Sequence, residues 1–212
     1  NLQKCDQMSV ISSAMVAASL DLPIDKNLGY AWVVPYGNKA QFQMGYKGYI
    51  QLALRTGQYR NINVIEVYEG ELIKWDRLTE EIELDFEQRK SDKIIGYVGY
   101  FELLNGFRKT VYWPKEDIER HRKRFSKSDF GWKNDYDAMA KKTVIRNLLS
   151  KWGILSIEMQ QAYIEDVSEG EMNENTQDNI IDAEIIDADF VEDEKESESN
   201  PKEQEQEELP FD

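Results

Sequence analysis

The sequence predicts an α+β fold in which a small antiparallel sheet, built from β-hairpins, packs against helices. Two turn signals and one helical pattern support this fold class. Gly37-Asn38 and Asn105-Gly106 each separate two runs that are rich in aromatic and β-branched residues, as in a hairpin. Residues 132–152 repeat apolar side chains at helical spacing. With 212 residues and 41% apolar side chains, the chain can bury one substantial core.

A helix and a hairpin are predicted for the N-terminal part. An alanine-rich helix should end near Leu20, because Pro23 disfavours its continuation. Two strands follow in "YAWVVPYG" and "KAQFQMGY". In the second strand Gln41 and Gln43 alternate with apolar residues, which is the period of a half-buried strand.

The middle of the chain predicts a second helix and then mainly strands. The helix lies in "GYKGYIQLALRTG" and ends at Gly57, a residue that commonly follows the last helical turn. The segments "NINVIEVYEGE" and "EIELDFEQR" are predicted strands. A long hairpin should follow in "IIGYVGYFELLNGFRKTVYW", because Asn-Gly is the preferred central pair of a type I′ turn.

Two further helices are predicted after this hairpin. The first begins at Pro114 and has acidic residues in its first turn, where the helix dipole favours them. After the loop "SKSDFG", residues 132–152 form the last helix. On a helical wheel of about 100° per residue, one arc of this helix should face the core. The arc contains Val144, Ile145, Leu148, Leu149 and Trp152.

Three cations of the last helix differ in their position on the wheel. With Tyr136 at zero, Lys142 and Arg146 fall near about 240° and about 280°, at the edge of the apolar arc. Two cations one turn apart on a rigid helix can bind successive phosphates. Lys141, a further candidate DNA contact, falls within the arc, so it either extends towards solvent or faces a partner chain. The alternative for the whole helix is a core element with an ordinary solvated edge.

Charge divides the chain into two regions. Residues 1–165 hold 24 Lys or Arg and 22 Asp or Glu, whereas residues 166–212 hold 2 and 19. We predict that residues 166–212 are a disordered acidic tail, because so polar a segment cannot offset its ordering entropy by burial. Within the first region, residues 108–151 carry 13 basic and 6 acidic side chains, a block that would attract an anionic partner.

The stretch "ERHRKRFSKSDFGWK" interleaves cations with aromatic rings. Cations neutralise phosphates and aromatic faces stack on bases, a combination suited to single-stranded nucleic acid. The alternative is that the rings of Phe125 and Trp132 anchor the core and only the cations are exposed. The candidate contacts in this stretch are Arg120, Arg122, Lys123, Arg124, Lys127, Trp132 and Lys133.

The sequence shows no active site, cofactor motif or metal site. Cys5 and His121 are the only residues of their types, too few for a usual zinc site, and no P-loop occurs. Glu83, Asp85 and Glu87 alternate along one predicted strand, which leaves a metal-dependent nuclease as an alternative, although a solvated sheet surface is the commoner reason for such a pattern. We therefore predict that the protein is not an enzyme and uses no cofactor.

The same features predict a cytoplasmic protein without membrane contact. A lone cysteine cannot form an intrachain disulfide, which fits a reducing compartment. No apolar run approaches the roughly 20 residues of a membrane-spanning helix, and the first residues lack a signal-peptide pattern.

One long segment resembles a known family. "LDLPIDKNLGYAWVVPYGNKAQFQMGYKGYIQLALRTGQYRNINVIEVYEGE" is followed by the pattern W(x)6M(x)2KT(x)2R, and together they resemble the RecT family of phage single-strand annealing proteins. The similarity extends over residues 10–155, and its Pro-Tyr-Gly and Gly-Tyr-Lys-Gly-Tyr elements are specific. It implies a prophage origin and a compact core like that of other annealing proteins. The second pattern consists of Trp132, Met139, Lys142, Thr143 and Arg146.

The resemblance also implies a function. Family members bind single-stranded DNA without ATP, anneal complementary strands to a duplex in homologous recombination and assemble into homo-oligomeric rings or filaments, usually beside a partner exonuclease. Residues 1–165 would form the DNA-binding, annealing and oligomerisation domain. Lys47 of "GYKGY" would lie near the DNA backbone together with Lys142 and Arg146, and Gln41 and Gln43 are further candidates. A nucleic-acid-binding scaffold that does not anneal is the alternative.

Both ends of the chain carry an expectation. The chain lacks an initiator Met, and family members usually have more N-terminal sequence. The last residues, "EQEQEELPFD", are similar to the acidic tip of bacterial single-strand binding proteins, which would link the chain to that host machinery. In this chain Asp212 displaces the terminal carboxylate that such tips present. The favoured interpretation is therefore a tail that competes with DNA for the basic surface.

Overall fold

A computed structural model describes residues 2–126 and 129–167. The helices are α1 (Gln7–Ser19), α2 (Tyr46–Arg55), α3 (Lys115–Phe125), α4 (Phe130–Asn134), α5 (Tyr136–Trp152) and α6 (Ile157–Val167). The strands are β1 (Ala31–Tyr36), β2 (Lys39–Met44), β3 (Tyr59–Tyr68), β4 (Leu72–Asp76), β5 (Glu81–Leu84), β6 (Ile94–Leu103) and β7 (Arg108–Pro114). Short 3₁₀ turns cover Leu2–Lys4 and Phe86–Gln88.

The strands of the described residues pair only in antiparallel fashion. The central sheet has the order β3–β6–β7, and β1–β2 and β4–β5 are separate two-stranded hairpins. Helices pack against these sheets, and α5 contacts all three strands of the central one. The predicted α+β class, with hairpins packed on helices, is confirmed.

The core lies where α5 crosses the central sheet. Gly99 of β6 leaves room for this helix, because a Cβ at that position would lie 3.0 Å from Val144 and 3.2 Å from Leu148. On the same strand Tyr97 donates its hydroxyl to Asp137 Oδ1 at 2.6 Å. The apolar arc predicted for α5 is thus confirmed for Val144, Ile145, Leu148 and Leu149, which are all buried.

Trp152 was also assigned to the apolar arc, and that prediction was wrong. Its side chain is 39% exposed. It is the last residue of α5 and packs beside the edge strand β7, where Lys109 Nζ lies 3.6 Å from its ring centre. The periodicity is correct, but the helix ends at the margin of the sheet and only part of the indole is covered.

The N-terminal helix and hairpin agree with the sequence. Asp6 caps α1 by accepting a hydrogen bond from Ser9 N at 2.9 Å, and the helix ends at Ser19. In the hairpin Tyr36 pairs with Lys39 across Gly37, whose φ of 58° is favourable only for glycine. The glycine therefore fixes the register of β1 against β2.

The hairpin between β6 and β7 is present, but its turn is not type I′. That turn requires positive φ at both central residues, whereas only Gly106 of the pair has one, at 89°. Leu103 N donates to Phe107 O at 2.8 Å, and Gly106 N donates to Leu103 O at 3.0 Å. The loop therefore has three residues, with glycine in the left-handed position.

Three further expectations for the chain need correction. The helix predicted over residues 132–152 is broken at Asp135, whose side chain accepts from Ala138 N at 3.0 Å and so begins α5. α6 then follows and buries Met159 and Ala162, so α5 is not the last helix. β4 was not predicted either. Disorder was predicted for residues 166–212, and of these the positions after Val167 lie outside the described residues.

In the described ranges, no helix combines the length and the apolarity that crossing a lipid bilayer requires.

Candidate nucleic-acid interface

The Gly-Tyr-Lys-Gly-Tyr motif forms the junction between β2 and α2. Gly45 N donates to Tyr30 O at 2.9 Å, so the junction rests directly on the backbone that precedes β1. A Cβ at Gly45 would lie 2.3 Å from Gly29 O, and a Cβ at Gly48 would lie 2.3 Å from Tyr30 O. Both positions therefore require glycine, and together they fix the first turn of α2 against residues 29–30.

This arrangement places an exposed cation beside an exposed indole. Lys47, in the first turn of α2, is exposed, and Trp32 of β1 is 40% exposed. Lys47 Cδ and Trp32 Cζ2 each lie 3.8 Å from the point that a Cβ at Gly29 would occupy. Trp32 Nε1 also lies 3.4 Å from the corresponding point at Gly45. The two glycines therefore leave the space between these side chains open.

Trp32 was not among the residues that the sequence singled out, although a signal was present. The turn at Gly37-Asn38 sets a register in which Trp32 pairs with Gln43 and Val34 pairs with Gln41. Residues that pair directly across two strands share a face of the sheet. Trp32 therefore belongs to the polar face of the hairpin, and this register would have predicted an exposed indole.

Lys141 takes neither of the two positions that the sequence suggested. Its Nζ lies 2.7 Å from Glu66 Oε1 on β3 and 4.9 Å from the ring centre of Tyr46. Burial alone would raise the pKa of Glu66, but the hydrogen bond and charge of Lys141 outweigh burial and lower it. Lys141 thus joins α5 to β3 and α2, within the chain.

Lys142 and Arg146 follow on the neighbouring edge of α5. Burial, and then the charges of Arg146 and Arg124, lower the pKa of His121 on α3 to about 4. On the helical wheel Lys141, which contacts Tyr46 of α2, lies at about 140°, and Arg146 lies at about 280°. Lys142, at about 240°, therefore lies at the edge of the buried arc of α5, next to Leu149.

Lys142 and Arg146 differ in their access to solvent. Both residues are partly buried, and the Nε and Nη2 atoms of Arg146 are shielded from solvent. At most the remaining end of that guanidinium faces outward, so the ammonium group of Lys142 is the better placed cation of the two for an external phosphate.

Several cations of the basic block are engaged by carboxylates. Arg122 bonds to Asp129 at 3.0 Å and to Glu119 at 3.5 Å, and this pairing raises its pKa further. Arg120 pairs with Asp117, and Lys133 lies 3.9 Å from Asp129. Such exposed pairs are weak, but they reduce the charge available to an anionic partner. In contrast, Lys123 and Arg124 are exposed at the end of α3.

Trp132 and Phe125, the two aromatic residues next to these cations, differ in their exposure to solvent. Trp132 is only 5% exposed and packs on Tyr136 with ring centres 5.3 Å apart, so it belongs to the core. Tertiary packing thus covers the ring, which favours the core-anchor alternative for Trp132 over the predicted DNA contact. Phe125, which the sequence allowed as a core anchor, is 49% exposed, with Arg124 5.1 Å from its ring centre.

The remaining predicted contacts are less accessible or fall outside the structure. Gln41 and Gln43 lie on the polar face of β2 as predicted, but both are partly buried. The side-chain oxygen of Gln41 is buried and accepts no hydrogen bond from the described residues. Lys127 lies outside the described residues.

The acidic residues of the nuclease alternative do not share one strand. Glu83 lies on β5, whereas Asp85 follows that strand and accepts from Glu87 N at 3.0 Å to begin a 3₁₀ turn. The predicted alternation along one strand was therefore wrong. Within residues 2–126 and 129–167, no three or more His, Cys, Asp or Glu side chains are arranged to hold a metal ion.

Comparison with known proteins connects this geometry to a family. The sequence model described as "RecT family" matches residues 1–184. An uncharacterized protein, YqaK of Bacillus subtilis (strain 168), is 67% identical over 204 residues, which cover 94% of this chain and 72% of the relative. Protein RecT of Escherichia coli (strain K12) is 30% identical over 178 residues, which cover 79% of this chain and 66% of that protein. The chain therefore belongs to the RecT family of single-strand annealing proteins, which act in DNA recombination.

Proposed function

We propose that this chain binds the backbone of single-stranded DNA through Lys47, Lys142 and Arg146 and anneals complementary strands without ATP. The observation that carries the proposal is the position of Lys142 and Arg146 at the edge of the buried arc of α5, a helix that the core holds in place. A cation on so firmly held a helix can bind a phosphate without losing further backbone freedom. Lys47 on α2 and the exposed cations Lys123 and Arg124 at the end of α3 add further positive charge.

Annealing then follows from charge and base pairing. Two free strands repel each other through their phosphates, and each folds on itself. Cations that hold one backbone reduce the repulsion, and bases that point away from the backbone stay available to a second strand. Pairing and stacking release the free energy of the reaction, so no nucleotide hydrolysis is needed. The chain also lacks a P-loop sequence.

Many subunits would act together on one strand. The exposed basic residues of one chain span only a few nucleotides, so a head-to-tail array would extend the positive surface along the DNA and raise the effective affinity. A homo-oligomeric filament or ring meets this requirement. A partner exonuclease would supply the single strand, and the acidic residues 166–212 would act as a separate, regulatory region beside the annealing domain.

The test mixes the protein with two complementary oligonucleotides that carry a donor and an acceptor dye. Energy transfer is followed without ATP and without Mg²⁺, and a non-complementary pair serves as the control. We expect acceleration with the complementary pair alone. Binding without acceleration would instead identify a scaffold, and degradation of the labelled strand on addition of Mg²⁺ would identify a nuclease.

A matched variant links the activity to α5. Lys142→Ala removes one charge from the proposed surface, and Lys93→Ala removes one from a lysine whose side chain is 70% exposed in the loop before β6. Only the first change should slow annealing. Equal rates for the two variants and the unaltered protein would remove α5 from the mechanism.

A further inference from the structure

Trp32 differs from the other tryptophans in what surrounds its ring. The chain has five tryptophans. Trp75, Trp113 and Trp132 each contact another aromatic ring, and Trp152 has Lys109 against its face. Among the residues that the structure describes, no ring and no cation centre stacks on Trp32. The residue is 40% exposed.

Lys47, beside Trp32, differs from the neighbouring cations in its charge environment. Lys141 of α5 pairs with Glu66 at 2.7 Å. Arg120 and Arg122 of α3 and Lys133 of α4 also pair with carboxylates. No carboxylate within the described ranges pairs with Lys47. The exposed indole of Trp32 and the aliphatic chain of Lys47 thus flank the same point above Gly29.

The glycines at positions 29 and 45 keep this point accessible. Gly29 has a φ of 66°, in the left-handed region where side chains are disfavoured, and Gly45 cannot carry a Cβ without meeting Gly29 O. The backbone conformation itself therefore excludes side chains that would cover the indole. The opening is a consequence of the same junction that positions α2.

We propose that Trp32 is a stacking platform for an unpaired base of single-stranded DNA, and that Lys47 binds the phosphate of the same or the next nucleotide. This inference rests on the proposed function, because it names how the bases are held at the interface. An aromatic face accepts any base, so the contact would be independent of sequence. Stacking uses the face of the base and leaves its pairing edge available to a complementary strand.

The test compares Trp32→Leu with Trp152→Leu. Trp152 is a matched control, because it is 39% exposed and also lies beside lysines, at the far end of α5. We expect Trp32→Leu to weaken binding of a short single-stranded oligonucleotide about tenfold to hundredfold, the usual range for loss of one aromatic–base stack. Trp32→Phe should retain most of the affinity, and Trp152→Leu should bind like the unaltered protein.

Oligonucleotides with abasic residues identify the partner of the ring. The unaltered protein should lose affinity for the abasic strand, whereas Trp32→Leu should bind abasic and normal strands equally. Lys47→Ala should keep the preference for normal strands and show a salt dependence that is smaller by about one phosphate contact. Two results would overturn the stacking role of Trp32. One is an equal loss of affinity in Trp32→Leu and Trp152→Leu, and the other is a Trp32→Leu variant that still prefers normal strands as strongly as the unaltered protein.

The outcomes also separate this inference from the proposed function. An unaltered protein that binds no single-stranded DNA would refute the function itself. An unaltered protein that binds and anneals normally, with a Trp32→Leu variant that does the same, would refute only the stacking role. Melting temperatures of all variants identify any loss of affinity that comes from unfolding.

Discussion

Lys141 Nζ lies 2.7 Å from Glu66 Oε1 and joins α5 to the edge strand β3 immediately beside the proposed phosphate-binding edge. The side chains are 16% and 25% exposed, so the pair is largely shielded from water. It aligns the helix that carries Lys142 with the central sheet. Lys141 was a candidate DNA contact in the sequence. In the structure it supports the helix that carries Lys142, the proposed phosphate contact.

Removal of Lys141 should lower the stability of the fold at neutral pH. Lys141→Met leaves the Glu66 carboxylate without its partner, so we expect the free energy of unfolding to fall by about 1–3 kcal/mol. Urea denaturation measures this change. The double variant Glu66→Gln/Lys141→Met, which removes both charges, should recover part of the loss.

The same pair gives a dependence on pH. The pKa of Glu66 is lowered from its ordinary value of 4.5, so its contribution is present at neutral pH and is lost as the pH falls through the lowered value. The pKa of Lys141 is raised above 10.5 because its bond to Glu66 outweighs burial, so its contribution is lost only in strong alkali. The stability difference between the unaltered protein and Lys141→Met should therefore shrink below pH 4.5, and a constant difference down to pH 3 would contradict the role of the pair.

Lys142→Ala should weaken binding of single-stranded DNA uniformly across sequences. Each lost phosphate contact lowers the slope of log affinity against log salt by about 0.7 for single strands. Arg146→Ala should have a smaller effect on this slope, because part of its guanidinium is shielded. Titrations at several salt concentrations measure both slopes, and unchanged slopes in a folded double variant would exclude this edge of α5 from the interface.

Gly48→Ala should destabilise the protein far more than the addition of one methyl group would suggest. The added Cβ would lie 2.3 Å from Tyr30 O, a backbone atom that cannot move alone, so we expect a loss of about 3 kcal/mol. Gly37→Ala is the control, since its Cβ meets nothing within 4 Å and only its φ of 58° is strained. That change should cost about 1 kcal/mol. Equal melting temperatures for the two variants would contradict the role of Gly48 in seating α2.

Trp132→Ala should affect stability and leave the DNA contact intact. The ring is 5% exposed, and truncation of a buried tryptophan typically costs about 3–5 kcal/mol. The folded protein at low temperature should still bind a short oligonucleotide. If affinity fell while the melting temperature stayed the same, Trp132 would have to be a direct contact after all.

Truncation after Val167 should increase DNA affinity at low salt. The truncated protein keeps α6, whose Met159 and Ala162 are buried, and loses a segment with 18 acidic and 2 basic residues. The gain should disappear at high salt, where screening weakens any competition between the acidic segment and DNA. Equal affinity of the two proteins at low salt would exclude a competing tail.

Local signals in the sequence were sufficient for most of the fold. The Gly37-Asn38 turn fixed one hairpin, and the spacing of apolar residues identified the buried face of α5. Two missed features also had local signals. Asp135 precedes α5 as a capping residue, and Ser156 accepts from Met159 N at 3.2 Å at the start of α6.

The candidate site was harder to predict, because exposure depends on what packs around a side chain. Trp32 and Trp132 have the same side chain. Trp132 is buried where α4 packs on α5, whereas Trp32 is exposed on a face of the β1–β2 hairpin. The cations were equally ambiguous. Lys141 and Lys142 are neighbours in the chain, but only the fold brings Glu66 to the first of them.

The backbone contact between the start of α2 and residues 29–30 has a consequence for engineering. Within Gly-Tyr-Lys-Gly-Tyr, the glycines set the geometry and buried Tyr49 fills the core, whereas the side chain of Lys47 points to solvent. A library that varies positions 32 and 47 and keeps both glycines would therefore alter the proposed recognition surface without disturbing the scaffold. Annealing proteins with altered salt tolerance could be selected from such a library.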